Sequence, residues 1–267
     1  MMSTAKGRQS IFITGAASGI GRATAKLFAE RGWFIGAHDI NQSGLDALKV
    51  DIGAENGSFA VLDVTDAAAF EAAMAAFGEA ADGMLDCMFN NAGIAHGGLL
   101  DEQPWDEIMA VVNINFIGVM IGCRTAIPLL AKTPKSLCLN TSSSSAIVGT
   151  PNQAVYSATK HAVRGLTEAL SIELKRFGVR AADLLPGLID TAMMNDDLRA
   201  MAPKEGMWRL TQPDEVAEAA WTAYHEDVIH SYIPPELQEF HIQAVSEPEL
   251  VREERAKLLA GLMQKQS

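Results

Sequence analysis

The sequence predicts an α/β fold, a doubly wound parallel sheet of about seven strands with helices on both faces. Two observations carry this. Short apolar runs alternate along the chain with longer segments whose apolar residues recur at three- and four-residue spacing, and a glycine-rich turn joins the first run to the first such segment. Strand–helix–strand repetition makes neighbouring strands parallel, and right-handed crossovers put the intervening helices on both faces of one sheet.

The elements follow in order. Ile11-Phe12-Ile13, Trp33 to Ala37, Phe59 to Leu62, Met84 to Phe89, Leu137 to Leu139 and Val179 to Leu185 read as buried strands, and Val228 to Ile233 is a candidate seventh. Ile20 to Glu30, Ala67 to Ala80, Trp105 to Leu130 and Ala154 to Phe177 carry the helical period. No linker, repeat or low-complexity stretch interrupts the alternation, so residues 1–267 read as one domain. Pro234-Pro235 ends it and leaves 235–267 as a C-terminal extension. There Val251, Leu258, Leu259, Leu262 and Met263 fall on one side of a candidate amphipathic helix, a stripe that more often packs on its own domain than on a partner.

Composition removes several classes of function. Asp plus Glu number 33 against 21 for Lys plus Arg, a net charge of -12 with a pI near 4.9. A nucleic-acid partner, which needs a basic surface, is therefore not expected. Cys87, Cys123 and Cys138 lack metal or disulfide spacing and read as buried thiols of a reducing compartment. The N-terminal residues have charges but no apolar core after them, and no run approaches the ~18 apolar residues of a membrane span. A cytoplasmic protein without membrane partner or metal site is expected.

The turn after the first strand reads Thr14-Gly15-Ala16-Ala17-Ser18-Gly19-Ile20-Gly21, a GxxxGxG spacing. Glycines there let backbone N–H groups approach phosphate oxygens, and the helix N-terminus that follows favours an anion. Asp39 ends the second strand and can accept both ribose hydroxyls of an adenosine while repelling a 2′-phosphate. His38 beside it reads as a strand-end surface residue. Asp63, with Val64 after it, ends the third strand and either meets an adenine amino group or caps its own turn.

Tyr156 and Lys160 are four apart on a predicted helix and so share a face. An ammonium near a phenol favours the phenolate, so Lys160 is expected to lower the Tyr156 pKa from its ordinary value near ~10. Asn140-Thr141-Ser142-Ser143-Ser144-Ser145 ends the fifth strand, and strand C-termini line the ligand crevice of such a sheet.

With Asn90-Asn91-Ala92-Gly93, Asn115-Phe116-Ile117-Gly118 and Pro186-Gly187-Leu188-Ile189-Asp190-Thr191, these motifs resemble, in order and spacing, the short-chain dehydrogenase/reductase family in its single-domain form. The resemblance spans residues 14–191 and implies a Rossmann-type sheet and a nicotinamide cofactor. It implies that Tyr156 is the acid/base, Lys160 its partner and a ribose ligand, and Asn115, rather than Asn113, the residue that interrupts a helix and holds a relay water. The serine lies about thirteen residues before the tyrosine in the family, which points to Ser143, with Ser142 and Ser144 as the competing assignments. Gly15, Ser18, Gly19, Ile20, Gly21, Asp39, Asp63 and Val64 would meet the adenosine and pyrophosphate. Asn91, Ala92 and Gly93 would pass the cofactor, although Asn91 reads more readily than Asn90 as purely structural. Pro186, Gly187, Ile189 and Thr191 would border the nicotinamide.

The resemblance further implies hydride transfer between NAD(H), preferred over NADP(H) because of Asp39, and a secondary alcohol or ketone. Ser143 and Tyr156 would hold the substrate oxygen. Residues 190–212 would form the substrate segment, with Met193 and Met194 against an apolar substrate and Met201, Met207 and Trp208 extending it. The helices holding Asn115 and Tyr156 imply a homodimer. The C-terminal part lacks the family's glycine-rich last strand, which weakens the expectation of a homotetramer. An NADPH-dependent carbonyl reductase is the near alternative. A catalytically inactive nucleotide-binding regulator on the same fold is the distant one.

Overall fold

The structure, a computed structural model, describes residues 4–5, 7–194 and 196–263, with the side chains of Asp197, Leu258, Leu259 and 261–263 left aside. Seven parallel strands form one sheet: β1 (Ser10–Thr14), β2 (Phe34–Asp39), β3 (Gly57–Val61), β4 (Cys87–Asn90), β5 (Leu137–Thr141), β6 (Arg180–Pro186) and β7 (His230–Ile233). Their spatial order is β3-β2-β1-β4-β5-β6-β7. The order reverses between β1 and β4, and a crevice opens beyond the strand C-termini at such a switch point. β4 is shorter than the run 84–89 suggested: Met84 is exposed, and Leu85, although buried, precedes the strand pairing that starts at Cys87.

Strand side chains alternate between two cores. Ile11, Ile13, Ile35, Phe89 and Leu139 face one layer, made by α1 (Gly19–Glu30), α2 (Gln42–Ile52) and α8 (Pro213–His225). Phe12, Phe34, Met88 and Cys138 face the other, made by α3 (Ala67–Ala80), α5 (Gly118–Leu130) and α6 (Ala154–Glu173). Ahead of α5 runs α4 (Trp105–Val112), α7 (Asp196–Met201) lies in the segment expected to meet substrate, and α9 (Leu237–Ser246) and α10 (Pro248–Met263) form the C-terminal extension. Val251 is buried against Phe240 and Leu237, while the other four residues of the expected stripe lie outside the described side chains.

One helix was not foreseen and two expectations need correction. α2 carries no strong apolar period, since only Leu45 and Leu48 are buried; the Asn41 side chain, accepting from Gly44 N at 3.0 Å, starts it instead. Trp105–Leu130 is long and apolar enough to cross a membrane, with a mean hydropathy of 1.6 over its best window, although no such segment was expected. Val111, Val119, Cys123, Ala126 and Leu130 on it are buried in the fold, while Trp105 and Met109 are exposed. His38 is not at the surface. β2 is flanked on both edges by strands, and His38 is 2% exposed and stacked on Phe12 at 3.9 Å, with burial pushing its pKa down to about 4.

Candidate active site

The glycine turn leaves β1 at the switch point. Gly15 has φ +69, and a Cβ there would stand 2.9 Å from Ala92 Cα, so backbone from the β4 end seats directly on the turn. A Cβ on Gly21 would lie 2.1 Å from Gly15 O, which ties the first turn of α1 to the same loop. Ser18 occupies the N-cap of α1 without a side-chain bond to the first turn, and that turn carries no acidic residue. The first-turn amides are thus open to an anion. A bound pyrophosphate fits this cradle, where side chains on Gly15 or Gly21 would collide with backbone.

Asp39 is fixed beside the cradle. Its Oδ2 accepts from Ala17 N at 3.0 Å and its Oδ1 from Asn41 N at 2.9 Å. Arg22, which follows the glycine turn, is already engaged: it pairs with Asp51 at 2.8 Å and donates to Ala17 O and Gly44 O. Asp63 accepts from Thr65 N and Thr65 Oγ1, so it caps its own turn, and Val64 packs against Gly118. Asn91 braces the loop from behind, its Nδ2 donating to Thr14 O at 3.1 Å and to Gly15 O at 3.3 Å. Asn90 is the more deeply structural of the two, contrary to expectation: it is buried and donates to Asn140 Oδ1 at 2.9 Å.

The side chains expected to react gather at the ends of β4 and β5. Asn115 lies within a single π-helical turn, Asn113–Ile117, that separates α4 from α5. Such a turn shifts the ladder by one residue and is common at functional sites. The buried Asn115 side chain clamps Ile94, accepting from its N–H at 2.9 Å and donating to its carbonyl at 2.8 Å. A Cβ on Gly93 would lie 3.3 Å from Asn115 Oδ1 and 3.7 Å from Lys160 Nζ, so these three residues meet at one point. Ala92 is held there by its N–H, which donates to Thr14 Oγ1.

The serine run is resolved by its partners. Ser142 Oγ donates to Lys160 O at 2.9 Å, and Ser145 Oγ bonds with Thr150 Oγ1 at 3.2 Å. Ser143 caps the short turn Ser144–Ala146 by accepting from Ser145 N at 3.1 Å, and it is the serine that draws the Tyr156 hydroxyl's pKa down against burial. Among the four serines, Ser143 is the one that acts on the tyrosine.

The electrostatics differ from expectation. Burial pushes the Tyr156 hydroxyl up, and the Ser143 bond offsets that only in part. Lys160 Nζ lies over the ring, 5.6 Å from its centroid, and donates to Thr141 O at 2.8 Å instead of to the phenol oxygen. Burial also pushes the lysine down, to about 8. Thr141 was not singled out from sequence as a ligand of the lysine; the contact is made through its carbonyl, so its side-chain type carries no signal.

After β6, Pro186 ends the strand and Gly187 N donates to Ile233 O at 2.7 Å. Ile189 pairs with Thr211, near the two ends of the segment 190–212 expected to meet substrate. Thr191 reaches back to the cradle, its Cγ2 3.1 Å from where a side chain on Gly19 would begin. Arg199, unnoticed in the sequence, pins α7 to this point by bonding Asp190 Oδ1 at 2.8 Å and Thr191 O at 2.9 Å. Met193 is exposed on the segment and Met194 half-buried. A cleft of about 470 Å³ beside Gly19 and Thr191 is lined by Arg22, Lys26, Arg199 and Asp214, not by Ser143 or Tyr156.

Comparison with known proteins places this arrangement in a class. The short chain dehydrogenase family model matches residues 9–202, and the chain belongs to that family. It is 36% identical over 214 residues to a 2,5-dichloro-2,5-cyclohexadiene-1,4-diol dehydrogenase of Sphingobium indicum, covering 78% of this chain and 85% of the relative. It is 34% identical to levodione reductase of Leifsonia aquatica, covering 73% and 74%. Among solved structures, a 3-ketoacyl-(acyl-carrier-protein) reductase from Brucella melitensis complexed with NADH superposes with a TM-score of 0.76 at 30% identity, covering 84% of this chain and 96% of that one. A short chain dehydrogenase/reductase from Burkholderia phymatum in complex with NAD gives 0.80 at 26% identity, covering 93% and 95%. The relatives are dehydrogenases and reductases, and an oxidoreductase is the class that fold and family define.

Proposed function

We propose that the protein is an NAD(H)-dependent oxidoreductase acting between a secondary alcohol and the corresponding ketone, with Tyr156 as the acid/base. The observation that carries this is the convergence of Ser143 on the Tyr156 oxygen beside Lys160, at the C-terminal end of β5. When bound, a nicotinamide dinucleotide supplies the hydride donor or acceptor. The open amides of α1 and the glycine turn would hold its pyrophosphate, Asp39 a ribose diol, and Lys160 a second ribose.

The chain's own groups handle the proton. The Tyr156 hydroxyl, held protonated by burial, donates to the carbonyl oxygen in reduction, and its phenolate accepts the alcohol proton in oxidation. The Ser143 hydroxyl bonds the same substrate oxygen and stabilises charge that develops there. Lys160 and the Asn115 turn lie behind Tyr156 as the route of proton exchange with solvent. The preference for NAD(H) rests on the Asp39 carboxylate and on Arg22, which Asp51 already engages. That two structural neighbours are complexes with NADH and with NAD supports the same cofactor class. The exposed Met193 and half-buried Met194 favour an apolar substrate body.

A panel of secondary alcohols and ketones, followed by NADH absorbance with NADPH in parallel, tests the reading. Turnover of at least one pair with NAD(H) favoured is expected. Tight NADH binding with no turnover across the panel would instead support a nucleotide-binding regulator.

A further inference from the structure

The C-terminal extension is tied to the helix that carries the reacting groups. Tyr156, Lys160, Arg164 and Glu168 recur every four residues along α6 and share one side of it. Arg164 Nε pairs with Glu168 Oε1 at 3.1 Å. Its Nη1 donates both to Ala146 O of the serine turn, at 3.4 Å, and to His241 Nε2 of α9, at 3.1 Å. His241 Nδ1 lies 2.7 Å from the Tyr232 hydroxyl of β7. Beside this group, His230 bridges the buried Asp183 at 2.7 Å and Glu168 at 3.3 Å.

A guanidinium has donors only, so His241 Nε2 must accept. The proton of the neutral ring then sits on Nδ1, facing the Tyr232 oxygen. α9 in turn packs Leu237 and Phe240 with Ile147, next to the serine turn, and with Met207 and Trp208 of the substrate segment. One helix is thus a wall for both.

We propose that Arg164 is a positioning residue that holds the Ser143 turn and α9 in one arrangement, with the neutral ring of His241 as the acceptor that keeps α9 in place. This rests on Ser143 being the hydroxyl that meets substrate. Protonating His241 would set N–H against N–H and a cation against the guanidinium, releasing α9. Burial, Arg164 and His230 hold the ring below the ordinary histidine range, while Glu168 opposes them. The groups facing His241 are therefore Arg164 and Glu168 from α6 and Tyr232 and His230 from β7, with Asp183 of β6 behind His230. The folded state binds fewer protons at this ring than the unfolded chain, so docking of α9 is lost as pH falls below about 6.5.

Hydrogen exchange over residues 143–150 and 237–246, read from about pH 7.5 to about 5 alongside kcat/KM, tests the proposal. In the wild type both segments should lose protection together, and kcat/KM should fall with them. His241→Gln keeps an acceptor for Arg164 but does not titrate in this range; its two segments should stay protected, with a neutral-pH rate within about twofold of wild type. Arg164→Met should lower kcat about tenfold or more at neutral pH with NADH affinity retained, and Arg164→Lys should restore part of it. An acid loss of protection in His241→Gln equal to the wild type's, or a folded Arg164→Met with unchanged kcat, overturns the proposal. The exchange readout needs no turnover. Coupled protection in an enzyme that turns over nothing would sink the proposed reaction and leave the clasp standing; uncoupled protection in an active enzyme would do the reverse.

Discussion

Replacing Lys160 by methionine should stabilise the protein while it abolishes turnover. Lys160 is 4% exposed, and burial holds its ammonium at about 8 in place of 10.5. At about 1.36 kcal/mol per pH unit, the folded state carries a penalty of about 3 kcal/mol at neutral pH for keeping that charge. Methionine removes the penalty and fills similar space, but leaves the Thr141 carbonyl without its lysine donor, a loss of about 1 kcal/mol. The net gain is about 2 kcal/mol. Its pH dependence identifies the cause. Above about pH 8 the native lysine sheds its proton while the unfolded chain keeps it up to ~10.4, so the unfolded state binds more protons and wild-type stability rises with pH. The variant has no such group. The gap should close by about 1.4 kcal/mol per unit and vanish near pH 9.5. Urea unfolding of both proteins at neutral and alkaline pH measures it. A variant less stable than wild type at neutral pH, or a gap that does not change with pH, would refute the view of Lys160 as a buried cation kept for function at a cost in stability.

Further outcomes follow from neighbouring residues. Asp39→Ser should narrow an NAD(H) over NADP(H) preference of about 10- to 1,000-fold, mainly through the KM for NADP(H), as kcat/KM with both cofactors will show; equal use of both by the wild type would defeat the role given to Asp39. Ser143→Ala should lower kcat by about 100-fold or more. Ser142→Ala, which loses the bond to Lys160 O, should instead cost about 1 kcal/mol of stability and change kcat far less; the reverse order would mean the wrong serine was chosen. His38 is buried neutral, and its pKa of about 4 against ~6.5 unfolded means stability is lost as pH falls through that interval, by up to about 3 kcal/mol. His38→Phe, which keeps the stack on Phe12, should remove that loss in urea titrations at neutral and acid pH; an unchanged acid loss would show that other groups cause it.

The sheet was legible because its strands are apolar runs and its crossover helices are periodic, signals that live within a few residues. The glycine turn, Asp39 and the Tyr156–Lys160 pair could be picked out for the same reason, each being a local pattern. What could not be read depends on contacts distant in sequence. His38 looks like a strand end until β1 and β3 close over it. The four serines are equivalent as letters, and only their partners, Lys160, Tyr156 and Thr150, separate them. The lowering of the Tyr156 pKa was misjudged because helical spacing shows that two side chains share a face, not that the ammonium reaches the hydroxyl; here it turns to Thr141. The polar cluster of Arg164, Glu168, Asp183, His230, Tyr232 and His241 is drawn from four elements and leaves no local trace.

The central claim is that Tyr156 is the proton donor and acceptor of a nicotinamide-dependent reaction, and Tyr156→Phe tests it most directly. The ring and its packing remain, and only the hydroxyl that meets Ser143 is lost. On the best substrate of the panel, kcat should fall by more than about 1,000-fold, about 4 kcal/mol of barrier, while NADH binding measured by fluorescence stays within about twofold. Turnover retained within about tenfold of wild type would contradict the account.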